Sequence, residues 1–157
     1  MSTKPQASGK RIVVGVDGSE PSRAALAWAV RQAELTGATI DAIIAWHYPV
    51  MASGYGWAPV APDQETDFEG IAAKVIAQEI AEVVDPASDV TVSTSVREGT
   101  ASEVLLESAD GASMLVVGSR GHGGFAGAVL GSVSLHCAHH SPCPLVIIRP
   151  PGRGARG

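Results

Sequence analysis

Between positions 118 and 132 the chain reads GSRGHGGFAGAVLGS, with glycine at 118, 121, 123, 124, 127 and 131. Glycine is unfavourable by about 1 kcal/mol in regular structure, so this density needs a reason. Anion binding is one: without Cβ atoms, successive backbone amides can converge on a phosphate. Ser132 can add a hydroxyl while capping the helix that follows, and Arg120 offers a nearby cation. His122 sits inside the loop and can approach a phosphate, although backbone geometry alone could put it there. A flexible glycine turn without a ligand would use the same residues, and the spacing by itself does not separate the two readings.

Asp17 is the second candidate. It follows the apolar run Ile12-Val13-Val14-Gly15-Val16 and precedes Gly18. Asp-Gly is a turn signal in its own right; a ligand role opposite the glycine loop is the other reading. The named motifs of other nucleotide binders are missing. No Gly-x4-Gly-Lys-Ser/Thr occurs, the lysines being Lys4, Lys10 and Lys74, and Gly15-Val16-Asp17-Gly18-Ser19 is not the dinucleotide fingerprint. His136, Cys137, His139, His140 and Cys143 have metal-ligand chemistry, and His136 and His140 share a helix face. Their spacing fits no closed structural zinc pattern, which favours a structural or surface role. Trp46, Tyr48, Tyr55 and Trp57 place four of the seven Trp, Tyr and Phe residues in or beside one segment. They form either a lid or partner surface, or a local hydrophobic plug.

The elements that must position these residues alternate along the chain. Ile12 to Val16 is a short β-branched run, as expected of a strand covered on both faces. Asp17-Gly18-Ser19-Glu20-Pro21 then turns into a helix with proline in its first turn, running to about Thr36 and stopped by Gly37. Thr39 to Trp46 is a second strand. Thr66 to Glu69 reads as a capping box opening a helix through Ile71, Val75, Ile76, Ile80, Val83 and Val84. Val90 to Val96 alternates apolar and hydroxylated residues, a strand with one face less buried. Thr100 to Glu103 is another capping box, ahead of a helix through Val104, Leu105, Leu106 and Ala109. Met114 to Val117 is the strand that feeds the glycine loop, a last helix spans about Ser132 to His140, and Leu145 to Ile148 is the fifth strand.

Five βα units without antiparallel hairpin signals predict an α/β fold, an open parallel sheet with helices on both faces and right-handed crossovers. The glycine loop then leaves the C-terminal end of a strand and closes on a helix N-terminus, the edge where such sheets bind ligands. The irregular stretch 47–63 carries Pro49, Gly54, Gly56, Pro59 and Pro62; a loop so long is usually functional or mobile. Residues 1–9 and 150–157 read as disordered tails, with one domain over 10–149.

Composition bounds the rest. With 45% hydrophobic and 17% charged residues over 157 positions, the chain is globular. No apolar run approaches the roughly 18 residues of a membrane span, and the polar opening segment carries no signal-peptide core. A net charge of −5 argues against a nucleic-acid partner. Two cysteines are too few for a disulfide framework, so a cytoplasmic protein with no membrane partner is the expectation.

The motifs together resemble one family. Gly118-x2-Gly121-x9-Gly131-Ser132 is similar to the Gly-2x-Gly-9x-Gly-Ser/Thr signature of ATP-binding universal stress proteins. Val13 to Ser19 resembles the family's opening strand and aspartate, and Ala138 to Arg149, with Ser141-Pro142-Cys143-Pro144, its closing segment. The resemblance spans about residues 10–149. It implies a five-stranded sheet of order 3-2-1-4-5, of the adenine nucleotide alpha hydrolase-like kind, with the nucleotide between the ends of strands one and four. On it, Gly15 and Asp17 lie beside the nucleotide, Asp17 near the ribose or a magnesium-bridged phosphate, and the Ala45 backbone reads the adenine edge. Gly118, Ser119, Arg120, Gly121, His122, Gly123 and Gly124 with Gly131, Ser132 and Val133 hold ribose and phosphates.

The function so implied is a regulatory, stress-response protein that binds ATP with Mg2+ and is not an enzyme, turnover being slow or absent. No residue is placed to activate a water, and a phosphotransfer enzyme wants a cationic clamp and a positioned base. A slow ATPase or phosphotransfer enzyme using the same loop is the alternative. An adenylate-forming relative fits less well, since Asp17-Gly18-Ser19-Glu20 is a poor Ser-Gly-Gly-x-Asp-Ser loop. The apolar run Pro144 to Arg149, at the sheet edge in this order, predicts a homodimer through that strand.

Overall fold

The computed structural model describes residues 9–53, 56–59, 66–121 and 130–151. In chain order its elements are β1 (Arg11–Gly15), α1 (Glu20–Thr36), β2 (Thr39–Trp46), β3 (Val50–Ser53), β4 (Gly56–Pro59), α2 (Phe68–Val83), β5 (Val92–Glu98), α3 (Ala101–Ala109), β6 (Met114–Gly118), α4 (Ser132–His140) and β7 (Leu145–Ile148). Five strands form one parallel sheet, β5-β2-β1-β6-β7, which is the expected 3-2-1-4-5 order among the sheet strands. Val14 pairs with Ala42 on one side and with Val116 on the other, so β1 is the central strand.

Strand residues alternate between two cores, as the pleat requires. Ile12, Val14, Ile40, Ala42, Ile44 and Val116 face α1 and α2, packing on Leu26, Ala29, Val30 and Ile76. Val13, Ile43, Leu115 and Val117 face α3 and α4, packing on Val104, Leu105, Ala109 and Cys137. Among the described residues no helix is long and apolar enough to cross a membrane.

Several expectations are corrected. The chain does contain an antiparallel hairpin: β3 and β4 pair Val50 with Pro59 and Ser53 with Gly56 inside the stretch read as an irregular loop. Its strands are only four residues long and bounded by prolines, so alternation had no length in which to register. The second-helix cap is Asp67, whose Oδ1 accepts from Gly70 N at 2.9 Å, rather than Thr66. Thr100 does precede α3 but makes no side-chain cap hydrogen bond. Ser132 is the first residue of α4, after an N-cap at Gly131. The third sheet strand is shifted two residues toward the C-terminus, Val92–Glu98.

Aromatic packing favours the plug for part of its cluster. Trp46 meets Tyr48 edge-to-face at 5.4 Å, Tyr48 meets Phe68 likewise at 5.7 Å, and Trp46 packs on the core. Tyr55 and the Trp57 side chain lie outside the described residues.

Candidate functional site

The C-terminal ends of β1 and β6 diverge around a cavity of about 310 Å³, at the lower end of the usual range for small-molecule sites. Its floor is apolar: Ile43 from β2, Leu105 from α3 and Val117 from β6. Its polar wall comes from Asp17 and Ser22 on one side and Arg120, Ser132 and Ser134 on the other. Gly15, Ala45, Gly118, Gly121, Gly131 and Val133 complete the set of expected residues that share this lining. His122, Gly123 and Gly124 lie outside the described residues.

The Asp17 side is a rigid turn. Gly18 has φ +81°, the left-handed region that Asp-Gly supplies. Asp17 Oδ1 accepts from the Ser19 amide at 2.9 Å and from the Ser19 hydroxyl, while Ser19 Oγ accepts from Ser22 N and so caps α1. Pro21 sits in the first turn of that helix.

On the opposite side, the two ends of the glycine loop are clamped together. The Ser119 carbonyl accepts from Gly131 N at 2.7 Å and from Ser134 Oγ at 3.0 Å. Ser119 N donates to the Ile148 carbonyl at 2.8 Å, tying the same point to β7. Ser119 is therefore a buried tie point and does not line the cavity. The approach is tight: a Cβ at Gly131 would lie 3.2 Å from Arg120 Cα. Across the cavity, a Cβ at Gly121 would lie 2.5 Å from Asp17 Oδ2, so the loop's beginning and the aspartate carboxylate touch. The N-terminus of α4 opens into this space with the amide ends and positive dipole that favour an anion.

Three polar residues escaped the sequence reading. Ser22 and Ser134 are nearly fully buried hydroxyls, and nothing marks such serines in a helical pattern. Glu79 on α2 is 2% exposed. It does carry a signal, since it falls in step with Ala72 and Ile76 on the stripe that packs on the sheet. Burial, followed by the neighbouring Asp17 carboxylate, pushes the Glu79 carboxyl above its usual range against the opposing pull of Ser22, Gly18 and Arg23.

The histidine and cysteine candidates separate. Cys137 is fully buried among apolar side chains, which pushes its thiol up, whereas His136, His139 and His140 lie exposed on α4. The His136 and His140 rings stack obliquely at 4.6 Å. Among the described residues no group of three or more His, Cys, Asp or Glu is arranged to hold a metal ion.

Comparison with known proteins agrees with this architecture. The model of the universal stress protein family matches residues 9–149. A universal stress protein of Mycolicibacterium smegmatis is 34% identical over 142 residues, covering 87% of this chain and 47% of that protein. The chain thus spans about half the length of the curated relatives it matches. Among solved structures, a universal stress protein in complex with cAMP superposes with a TM-score of 0.67 at 23% identity, over 91% of this chain and 98% of that one. The universal stress protein of Archaeoglobus fulgidus in complex with dAMP gives 0.62 at 18% identity, over 88% and 97%. The sheet order is theirs, the adenine nucleotide alpha hydrolase-like fold, and the family match runs through every sheet strand and both ends of the glycine loop: the chain belongs to the universal stress protein family.

Proposed function

We propose that this protein binds an adenine nucleotide in the cavity between β1 and β6, ATP with Mg2+ foremost, and acts as a regulatory nucleotide-binding protein of the stress response. The observation that carries the reading is the convergence of the clamped glycine-loop ends, the α4 N-terminus and Asp17 on one cavity with an apolar floor. A planar base suits Ile43, Leu105 and Val117, with the Ala45 backbone at its edge. The amides at Gly121 and at the start of α4, with Arg120 and Ser132, suit phosphate. That two solved relatives hold cAMP and dAMP supports the class of ligand. Asp17 fits a ribose hydroxyl or a Mg2+ ion; such an ion would screen its charge from the phosphates.

In this reading the protein is a binder rather than an enzyme. Among the described lining residues Asp17 is the carboxylate and Arg120 the cation, a thin set for phosphoryl transfer. We also place a homodimer contact on β7, an edge strand of the sheet.

Isothermal titration with ATP and Mg2+ tests the binding reading, using Gly121→Glu as the control. The new carboxylate would enter where Gly121 already meets Asp17 and where phosphate is to sit. Affinity should fall at least tenfold, the scale of losing one charge-assisted contact, about 1.5–3 kcal/mol. Unchanged affinity in a folded Gly121→Glu variant sinks the assignment, and steady ADP release with Mg2+ would replace binding by turnover.

A further inference from the structure

A carboxyl on the buried stripe of a helix is costly unless its oxygens are satisfied, and an apolar residue would pack there without that demand. Glu79 meets the turn between β1 and α1 at Gly18 and the first turn of α1 at Ser22. Gly18 N donates to its Oε1 at 3.1 Å, and Ser22 Oγ lies 3.0 Å from both carboxyl oxygens. Ser22 Oγ in turn accepts the Asp17 amide at 3.0 Å. One side chain from α2 thus reaches two consecutive backbone amides of the turn, one directly and one through a serine. It does so without lining the nucleotide cavity itself.

The space around the turn explains why such a hold is needed. Behind it lies a second hollow of about 270 Å³, bordered by Asp17, Gly18, Arg23, Gln78, Glu79 and Glu82. With a hollow on each side of Asp17, hydrogen bonds carry much of the positioning of the turn. Arg23 contributes one from the rim, Nη1 to the Gly18 carbonyl at 2.6 Å. Glu79 contributes from beneath.

We propose that Glu79 is a positioning residue for the adenine nucleotide: through Gly18 and Ser22 it holds the turn that presents Asp17 to the ligand. The inference rests on the nucleotide reading above. It makes α2, which has no residue in the nucleotide cavity, part of the binding apparatus.

Titration calorimetry with ATP and Mg2+, on variants whose fold is verified by circular dichroism, tests it. Glu79→Gln should bind within about threefold of wild type, because a carboxamide keeps an acceptor for Gly18 N and a donor for Ser22 Oγ. The Ser22 proton can then turn to the Gly15 carbonyl, 3.5 Å away. Glu79→Leu fills a similar volume without those bonds and should weaken binding about tenfold or more; in that background Asp17→Ala should cost less than about threefold further, since coupled residues are non-additive. Where Glu79→Leu does not fold, Glu79→Asp takes its place, its carboxyl one methylene too short to reach the turn. Wild-type affinity in Glu79→Leu or Glu79→Asp, or effects that simply multiply with Asp17→Ala, overturns the inference while leaving the nucleotide reading intact. Absence of binding by the wild-type protein overturns both.

Discussion

At Glu79 the geometry carries a stability consequence that can be read without any ligand. Burial is the largest influence on this carboxyl and raises it above its ordinary 4.5; the Asp17 carboxylate pushes the same way, while Ser22, Gly18 and Arg23 pull down. Glu82 borders the same hollow. The folded state therefore holds the proton more tightly than the unfolded chain. The stability so linked is fully present below about 4.5 and is lost as pH rises through the folded value. Glu79→Gln removes this titration. Its stability relative to wild type should rise with pH above 4.5 and level off once the wild-type carboxyl has ionised. Urea denaturation at a series of pH values measures this, and a difference independent of pH contradicts it.

Between elements, the decisive contact is the approach of β6 to the first turn of α1. A Cβ at Gly118 would lie 2.7 Å from the Pro21 carbonyl carbon and 2.8 Å from its Cβ and its oxygen. Two of those atoms are backbone and cannot rotate aside. Gly118→Ala should therefore force strand and helix apart and destabilise by about 1–3 kcal/mol, the range for overpacking. Gly37 provides the contrast, with φ +73° and nothing within 4 Å of its would-be Cβ. Alanine there costs backbone strain alone and should leave the site geometry untouched. Denaturation midpoints with nucleotide affinities on both variants separate the cases: Gly118→Ala should lose both, Gly37→Ala stability only. A Gly118→Ala protein as stable as wild type would show that the approach is looser than the geometry requires.

For the whole molecule, the open question is what meets β7. Within this chain β7 pairs with β6, Val117 opposite Ile147, and it ends the sheet. Leu145, Val146, Ile147 and Ile148 are all only half-buried. An apolar edge of this kind invites pairing with another strand, and a two-fold axis allows the same strand of a second copy to supply it. Ile147→Lys should move the protein toward monomer while conserving its helix content. Analytical ultracentrifugation at micromolar concentration decides; a wild-type chain sedimenting as a monomer rules the dimer out.

The local signals in this chain were strong where one element sufficed to express them. Thr39–Trp46, Ser132–His140 and Leu145–Ile148 have the bounds that their own residues imply, and Gly37 ends α1 because only a left-handed residue suits that stop. The glycine spacing 118, 121 and 131 likewise pointed to the loop, and Asp17 to the turn facing it. Short or borderline features were less legible. Four-residue hairpin strands offer too little alternation, and the Thr66–Glu69 capping box put the helix cap at Thr66, one residue before Asp67, which holds it. Tertiary structure alone revealed that Ser119, buried, ties the loop's two ends to each other and to β7, with Ser134 bonding to the same carbonyl. It alone joined Glu79 to Gly18 across sixty-one positions. A hydrogen bond between elements depends on how they pack in space, and no residue's own neighbourhood in the chain encodes that distance.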